Sequence, residues 1–351
     1  MLREVNPYLY PPPFLLVCAP LTLLSFSAAR WAWLAIDLSL VVVALGLSGR
    51  ILARAFPTIA RSTIACVIAV LAATFQPIYD GLIAGQVNAL VLVLILLALD
   101  RLSRSRDGAA GAFLGAAAIV KMSPALLLVW LVVTRRWRAI AGAAASMALL
   151  SLLSLAVVPI SVQRAFYLEV LPGFSSTFPA VRLPISYFGN HSLPSAIDAL
   201  LPSGRPRHLS GPARVVTAVL EGTLLAIACL RSARSRASLR DASAFLVLMV
   251  AFPVFAFDHH VVYLLLPIAL GVLLVSEGQL APSWIAPVAL SWALLGIPLT
   301  ELVLLDARTG ILWAPLVVLA RRAKLIGMGL LLVVLARAPG AAPRGERASG
   351  T

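Results

Sequence analysis

Apolar runs follow one another along nearly the whole chain, separated by short polar stretches that hold most of the charge. They lie at 31–49, 62–78, 86–100, 139–158, 212–230, 242–257, 261–275 and 284–304, and most reach or approach the about 17 to 25 residues that cross a hydrocarbon core. Backbone groups in lipid must be satisfied within their own segment, so the runs predict helices. The fold class is therefore all-α, a polytopic transmembrane helical bundle of roughly nine to eleven membrane helices.

Short arginine-rich loops mark the cytoplasmic side. Four such clusters occur, Arg50/Arg54/Arg61, Arg101/Arg104/Arg106, Arg135/Arg136/Arg138 and Arg231/Arg234/Arg236/Arg240. Keeping the second and third on one side requires an even number of crossings between them. A hairpin of two short helices meets this, turning at VKMSP, where Pro124 disfavours helix at Ser123. The opening PPPFLLVCAPLTLLSF, short and rich in proline, suits an interfacial helix. A single domain spans 1–337, with a long extracytoplasmic loop at 159–212 and a disordered tail at 338–351. The runs Trp284–Leu304, Ile311–Ala320 and Leu325–Ala336 cannot all span with both Arg321/Arg322/Lys324 and the tail inside, so the last crossing stays open. This path brings four polar features to the outer face: Tyr79 to Asn88, Lys121, Asn190 to Ser192, and Asp258 to His260.

Composition strengthens the membrane reading. Hydrophobic residues make up 61% and charged residues 12% of the chain, with a mean hydropathy of +0.99, against about half and a quarter in soluble domains. No soluble catalytic domain is attached, so any chemistry belongs to loops and helix ends. The net charge of +14 comes from arginine clusters without aromatic interleaving. These read as topology signals and lipid contacts; the partners are membrane lipids, and nucleic acid is excluded. Lysine occurs only at 121 and 324. The cysteines, 18, 66 and 229, are odd in number and lack CxxC spacing, which supports neither a disulfide framework nor a zinc site. No signal peptide opens the chain, and P-loop, GxGxxG and GxSxG motifs are missing.

Charge inside an apolar region is costly and defaults to function or pairing. Lys121 reads as a cation for a lipid-linked phosphate, with snorkelling or pairing to Asp80 as the bland alternative. In AFPVFAFDHHVVYLLLPIAL, Asp258 can orient one imidazole of His259 or His260 as a proton shuttle or phosphate contact. The two adjacent histidines are expected on different helical faces, so that only one points inward. A metal is disfavoured because no histidine pair at i, i+4 is present. Gln86 and Asn88 in IAGQVNALVLVL are neutral, and interhelical hydrogen bonding is their bland reading.

Five phrases in order, NPYLYPPPFLLVCAPLTLL, GQVNALVLVLILLALD, AAAIVKMSPALLLVWLVVTRRWR, GNHSLPSAIDALL and FDHHVVYLLLPIAL, resemble the recurring phrases of glycosyltransferase family 87. The resemblance implies a GT-C type integral membrane enzyme of the plasma membrane (the bacterial inner membrane). Such an enzyme transfers a hexosyl, in particular mannosyl, residue from a polyprenyl-phosphate carrier to a lipid or glycan acceptor at the extracytoplasmic face, with no cofactor. By phrase, Asp258, His259 and His260 fall in the catalytic region. Lys121, Gln86, Asn88, Asp80, Asn190, His191, Tyr8 and Tyr10 fall in the substrate and lipid-phosphate site. The family's expected catalytic aspartate lies in a loop before the NPY phrase, and this sequence opens at that phrase. The resemblance therefore implies coding sequence upstream of Met1, with an inactive homologue as the alternative. A transporter or flippase is the rival from another class; it would spread polar residues across mid-membrane and carry internal repeats.

Overall fold

The computed structural model describes residues 10–173, 183–205, 208–235, 238–298, 303, 310 and 314–337. Among these residues the protein is helical and contains no strand. Four helices are individually long and apolar enough to cross a membrane: Phe26–Ala55, Trp137–Ser154, Gly211–Arg234 and Asp258–Ser276, the last opening with a 3-10 stretch. A fifth span is formed if Arg61–Ala73 and Gln76–Ile83, bent by 58° at their junction, are counted as one. Shorter helices such as Asn88–Leu102 and Asp107–Val120 complete the bundle.

The breaks have local causes. Ser62 to Ile78 is expected as one helix; it divides because Pro77 lacks an N–H, a lack that costs nothing in the first turn of a new helix starting at Gln76. The expected break before Pro124 is present, with Lys121 extended (φ −147°, ψ 127°) at the end of Asp107–Val120. The helix Leu239–Ala251 ends ahead of Pro253, earlier than the apolar run to Phe257 suggests. The 252–257 strip that follows is paired to residues 190–192.

Other expectations need correction. The interval 159–212 is not simply loop, since it holds Ile160–Ala165 and Leu193–Leu200, and Asn190, His191, Ser192 and Ser195 are all buried. The N-terminal segment is helical as expected, in 3-10 and α turns over Pro12–Leu23, with Pro12, Pro13 and Phe14 buried against the bundle. Of the two expected apolar runs, 314–320 and 325–336 belong to one helix, Ala314–Arg337, that carries Arg321, Arg322 and Lys324 in its interior, and 311–313 lie outside the described residues.

Small residues set the distance between two neighbouring helices. A Cβ added at Gly111 would collide with the carbonyl of Ala139, at Gly115 with that of Ala143, and at Gly142 with that of Gly108. Asp107–Val120 and Trp137–Ser154 therefore touch backbone to backbone, as small residues allow in membrane bundles. This contact fixes the helix that ends at Lys121.

Candidate active site

Asn88, the first residue of the helix Asn88–Leu102, is 2% exposed and is the hub of a polar cluster. Lys121 Nζ donates to its Oδ1 at 2.6 Å and Tyr263 OH donates to the same oxygen at 2.9 Å. Its Nδ2 donates to the carbonyl of His259 at 2.9 Å. One amide thus joins three segments distant in sequence. The Lys121 ammonium also lies 5.9 Å from the centre of the Tyr10 ring, within cation–π range. Among the described residues no carboxylate pairs with Lys121, so the bland reading of a Lys121–Asp80 pair is not what the structure contains. Asp80 accepts instead from Gln76 Nε2 at 2.9 Å.

Residues Asp258–Leu264 form a 3-10 helix. Its geometry overturns two expectations about the histidines. Asp258 orients neither neighbour: its Oδ1 lies 3.2 Å from His191 Nε2 and 3.0 Å from Lys324 Nζ. His259 and His260 are also not on opposed faces, since their rings stand 4.5 Å apart, both partly exposed. His260 Nδ1 accepts the N–H of Phe257 at 2.8 Å, which leaves Nε2 to carry the proton of a neutral ring and to donate.

Asn190 is fully buried, and its side chain is spent on backbone. Nδ2 donates to Ile185 O and Val254 O, both at 2.8 Å, and Oδ1 accepts from Ala256 N at 2.9 Å. It fastens the 190–192 strip to the 252–257 strip and so presents His191 to Asp258; it positions the site rather than lining it.

On the N-terminal side, Tyr10 OH donates to Gln86 Oε1 at 2.6 Å, and Trp33 Nε1 donates to the carbonyl of Gly85 at 3.0 Å. Gly85 takes φ +59°, a left-handed turn that suits glycine. Burial, then the nearby Cys18 and Asp37, pushes the Tyr10 phenol up to about 12, so it remains a donor. Tyr8 lies outside the described residues.

Three participants escape a reading by sequence phrase. Tyr263 sits in an apolar run, and Lys324 looks like one member of a basic cluster. Asp37, in the helix Phe26–Ala55, is 1% exposed, and its Oδ1 has no hydrogen-bond partner among the described residues. It lines a narrow cleft with Gln86 and Asn88. A periodic signal was available for two of them. Asp37 falls on the buried stripe of Ala44, Leu47, Ser48 and Ile51, and Lys324 on that of Val317, Ala320, Met328 and Leu331.

The cluster offers an ammonium without an anionic partner, imidazole and phenol donors, and a carboxylate, gathered at one end of the Asn88–Leu102 helix. Comparison with known proteins agrees with such chemistry. The family model of glycosyltransferase family 87 matches residues 8–257, most of the chain. A polyprenol-phosphate-mannose-dependent alpha-(1-2)-phosphatidylinositol pentamannoside mannosyltransferase of Mycolicibacterium smegmatis is 30% identical over 139 residues, 40% of this chain. The match spans 32% of that relative's length. No solved structure matches the chain. With apolar helices throughout and a family match that runs from the N-terminal segment to the edge of the Asp258 helix, this membrane protein belongs to glycosyltransferase family 87.

Proposed function

We propose that the protein transfers a hexosyl residue, in particular mannosyl, from a polyprenyl-phosphate carrier to a lipid or glycan hydroxyl, with the site at the extracytoplasmic face of the plasma membrane. The observation that carries this reading is Lys121, a cation held by a neutral amide and lacking a carboxylate counterpart among the described residues. A site of this kind has positive charge to spare for an anion. The relative's dependence on polyprenol-phosphate-mannose supports the donor class, and the apolar surroundings suit a polyprenyl tail.

In the reaction, the acceptor oxygen forms a bond to the anomeric carbon as the bond from that carbon to the phosphate oxygen breaks. The phosphate leaves with the electron pair, and the acceptor proton passes to a base. Negative charge grows on the departing phosphate, and donors fixed in advance stabilise it most. Lys121 supplies the charge, and the Nε2–H of His260 supplies a further donor beside it. A lipid phosphate leaves without a nucleotide, so this reading needs no divalent ion.

The test is transfer from polyprenyl-phosphate-mannose by purified protein in lipid nanodiscs. Lys121→Met is expected to lower transfer by about a hundredfold or more, with the melting temperature retained. A folded Lys121→Met variant that transfers at the native rate removes the reading.

A further inference from the structure

The helix Ala314–Arg337 lies beyond the region matched by the family, yet it reaches the site. Lys324 is 1% exposed, and its ammonium has its donors engaged: Asp258 Oδ1 at 3.0 Å, Leu295 O at 2.9 Å and Ile297 O at 3.4 Å. Two residues away, Arg322 Nη1 donates to Ser195 Oγ at 3.3 Å, in the segment that also presents His191. From Asp258 the chain continues directly to His259, whose carbonyl takes the Asn88 amide, and the other end of that amide holds Lys121.

We propose that Lys324 is a positioning residue of the transfer site, acting from the C-terminal helix through Asp258 and the Asn88 amide to set the place of the Lys121 ammonium. The inference rests on the function proposed above for the meaning of "transfer site", though its physical content, the coupling of two lysines, does not. A buried ammonium and carboxylate hold each other in place, because removing either takes from the other a charged partner that it has in an apolar surrounding. With Lys324 gone, Asp258 keeps only His191 of these two partners, and the start of the 3-10 helix loses its anchor on the Ala314–Arg337 side. The His259 carbonyl is one residue from that anchor. Displacement there is passed to Asn88, which has no slack: its Oδ1 and Nδ2 are both engaged.

The experiment uses the two-lysine content of the chain. Reductive methylation with 13C-formaldehyde labels the partly exposed Lys121, and the dimethylammonium keeps one N–H for Asn88. The Lys121 methyl signal is followed in the full chain without donor, in the native protein and in Lys324→Met, Lys324→Arg and the double variant Asp258→Asn/Lys324→Met. The expected result is a Lys121 signal displaced by more than its linewidth in Lys324→Met and largely returned by Lys324→Arg. In the double variant, which removes both charges of the Lys324–Asp258 pair, melting temperature recovers while the signal stays displaced. In parallel, binding of farnesyl phosphate is expected to weaken by about 2- to 30-fold in Lys324→Met, the range for a residue that acts through others.

A Lys121 signal that stays in place in a destabilised Lys324→Met protein overturns the proposal and leaves Lys324 a structural residue. A signal that recovers together with stability in the double variant does the same. Failure of the native protein to bind farnesyl phosphate, with the signal displaced as expected, counts against the proposed donor and leaves the coupling standing.

Discussion

The helix Asn88–Leu102, roughly 22 Å long at 1.5 Å per residue, ends in two polar clusters of opposite design. At its C-terminal end Asp100 meets Arg54 at 2.7 Å and Arg104 at 3.2 Å, and nearby Arg136 meets Asp107 at 2.8 Å. Each of these carboxylates meets an arginine directly, and the side chains of Arg54 and Arg104 are 34% and 43% exposed. At its N-terminal end the cation Lys121 meets an amide, and the carboxylate Asp258 is drawn off to a second lysine and a histidine. At the first end each carboxylate is spent on arginine; at the second the cation Lys121 is held by a neutral amide. Inside an apolar bundle such an imbalance is expensive to keep, which is why it points to function where the arginine end points to topology.

The sharpest way to break this contrast is Asn88→Asp, which turns the neutral hub into a counter-ion. Transfer from the lipid-linked donor is expected to fall by about a hundredfold or more, because Lys121 is then neutralised before the phosphate arrives. Activity measured beside the melting temperature separates this from unfolding. Asn88→Leu strands the Lys121 and Tyr263 donors and the His259 carbonyl; it is expected to destabilise the protein by about 1 to 3 kcal/mol, read by denaturation in detergent, and to lower activity as well. Tyr263→Phe removes one donor and keeps the ring, with an expected cost of about 1 kcal/mol and a smaller loss of transfer. At the other end, Arg136→Gln is expected to cost less than about 1 kcal/mol and to leave transfer unchanged in the same assay. If this half-buried pair proved as important for transfer as Asn88, the distinction between the two ends would disappear.

Much of the site is legible in sequence because charge and amide groups are rare in this chain. Lys121, Asn88 and the 258–260 cluster interrupt apolar runs, and a topology drawn from arginine clusters suffices to bring them to one end. The structure joins them by direct contacts of 2.6 Å and 2.9 Å. The partners of Asp258 are not legible from adjacency, since they come from 67 residues before it (258 − 191) and 66 after it (324 − 258). Nor does the basic cluster at 321–324 behave as a loop. A lysine that is paired and bonded to carbonyls can sit inside a helix which hydropathy alone would cut in two. Asn190 shows the converse error, a residue in the right place whose polar atoms are already used by the backbone.

The glycine seam between Asp107–Val120 and Trp137–Ser154 has a bearing on how the enzyme can be altered. Where main chains touch there are no side chains to trim or enlarge, so the spacing of these two helices behaves as a hard stop that substitution can only disrupt. The place of Lys121, at the end of one of these helices, is therefore adjusted through its other neighbours, the Tyr10 ring and the Asn88 amide, where side chains rather than peptide units make the contact.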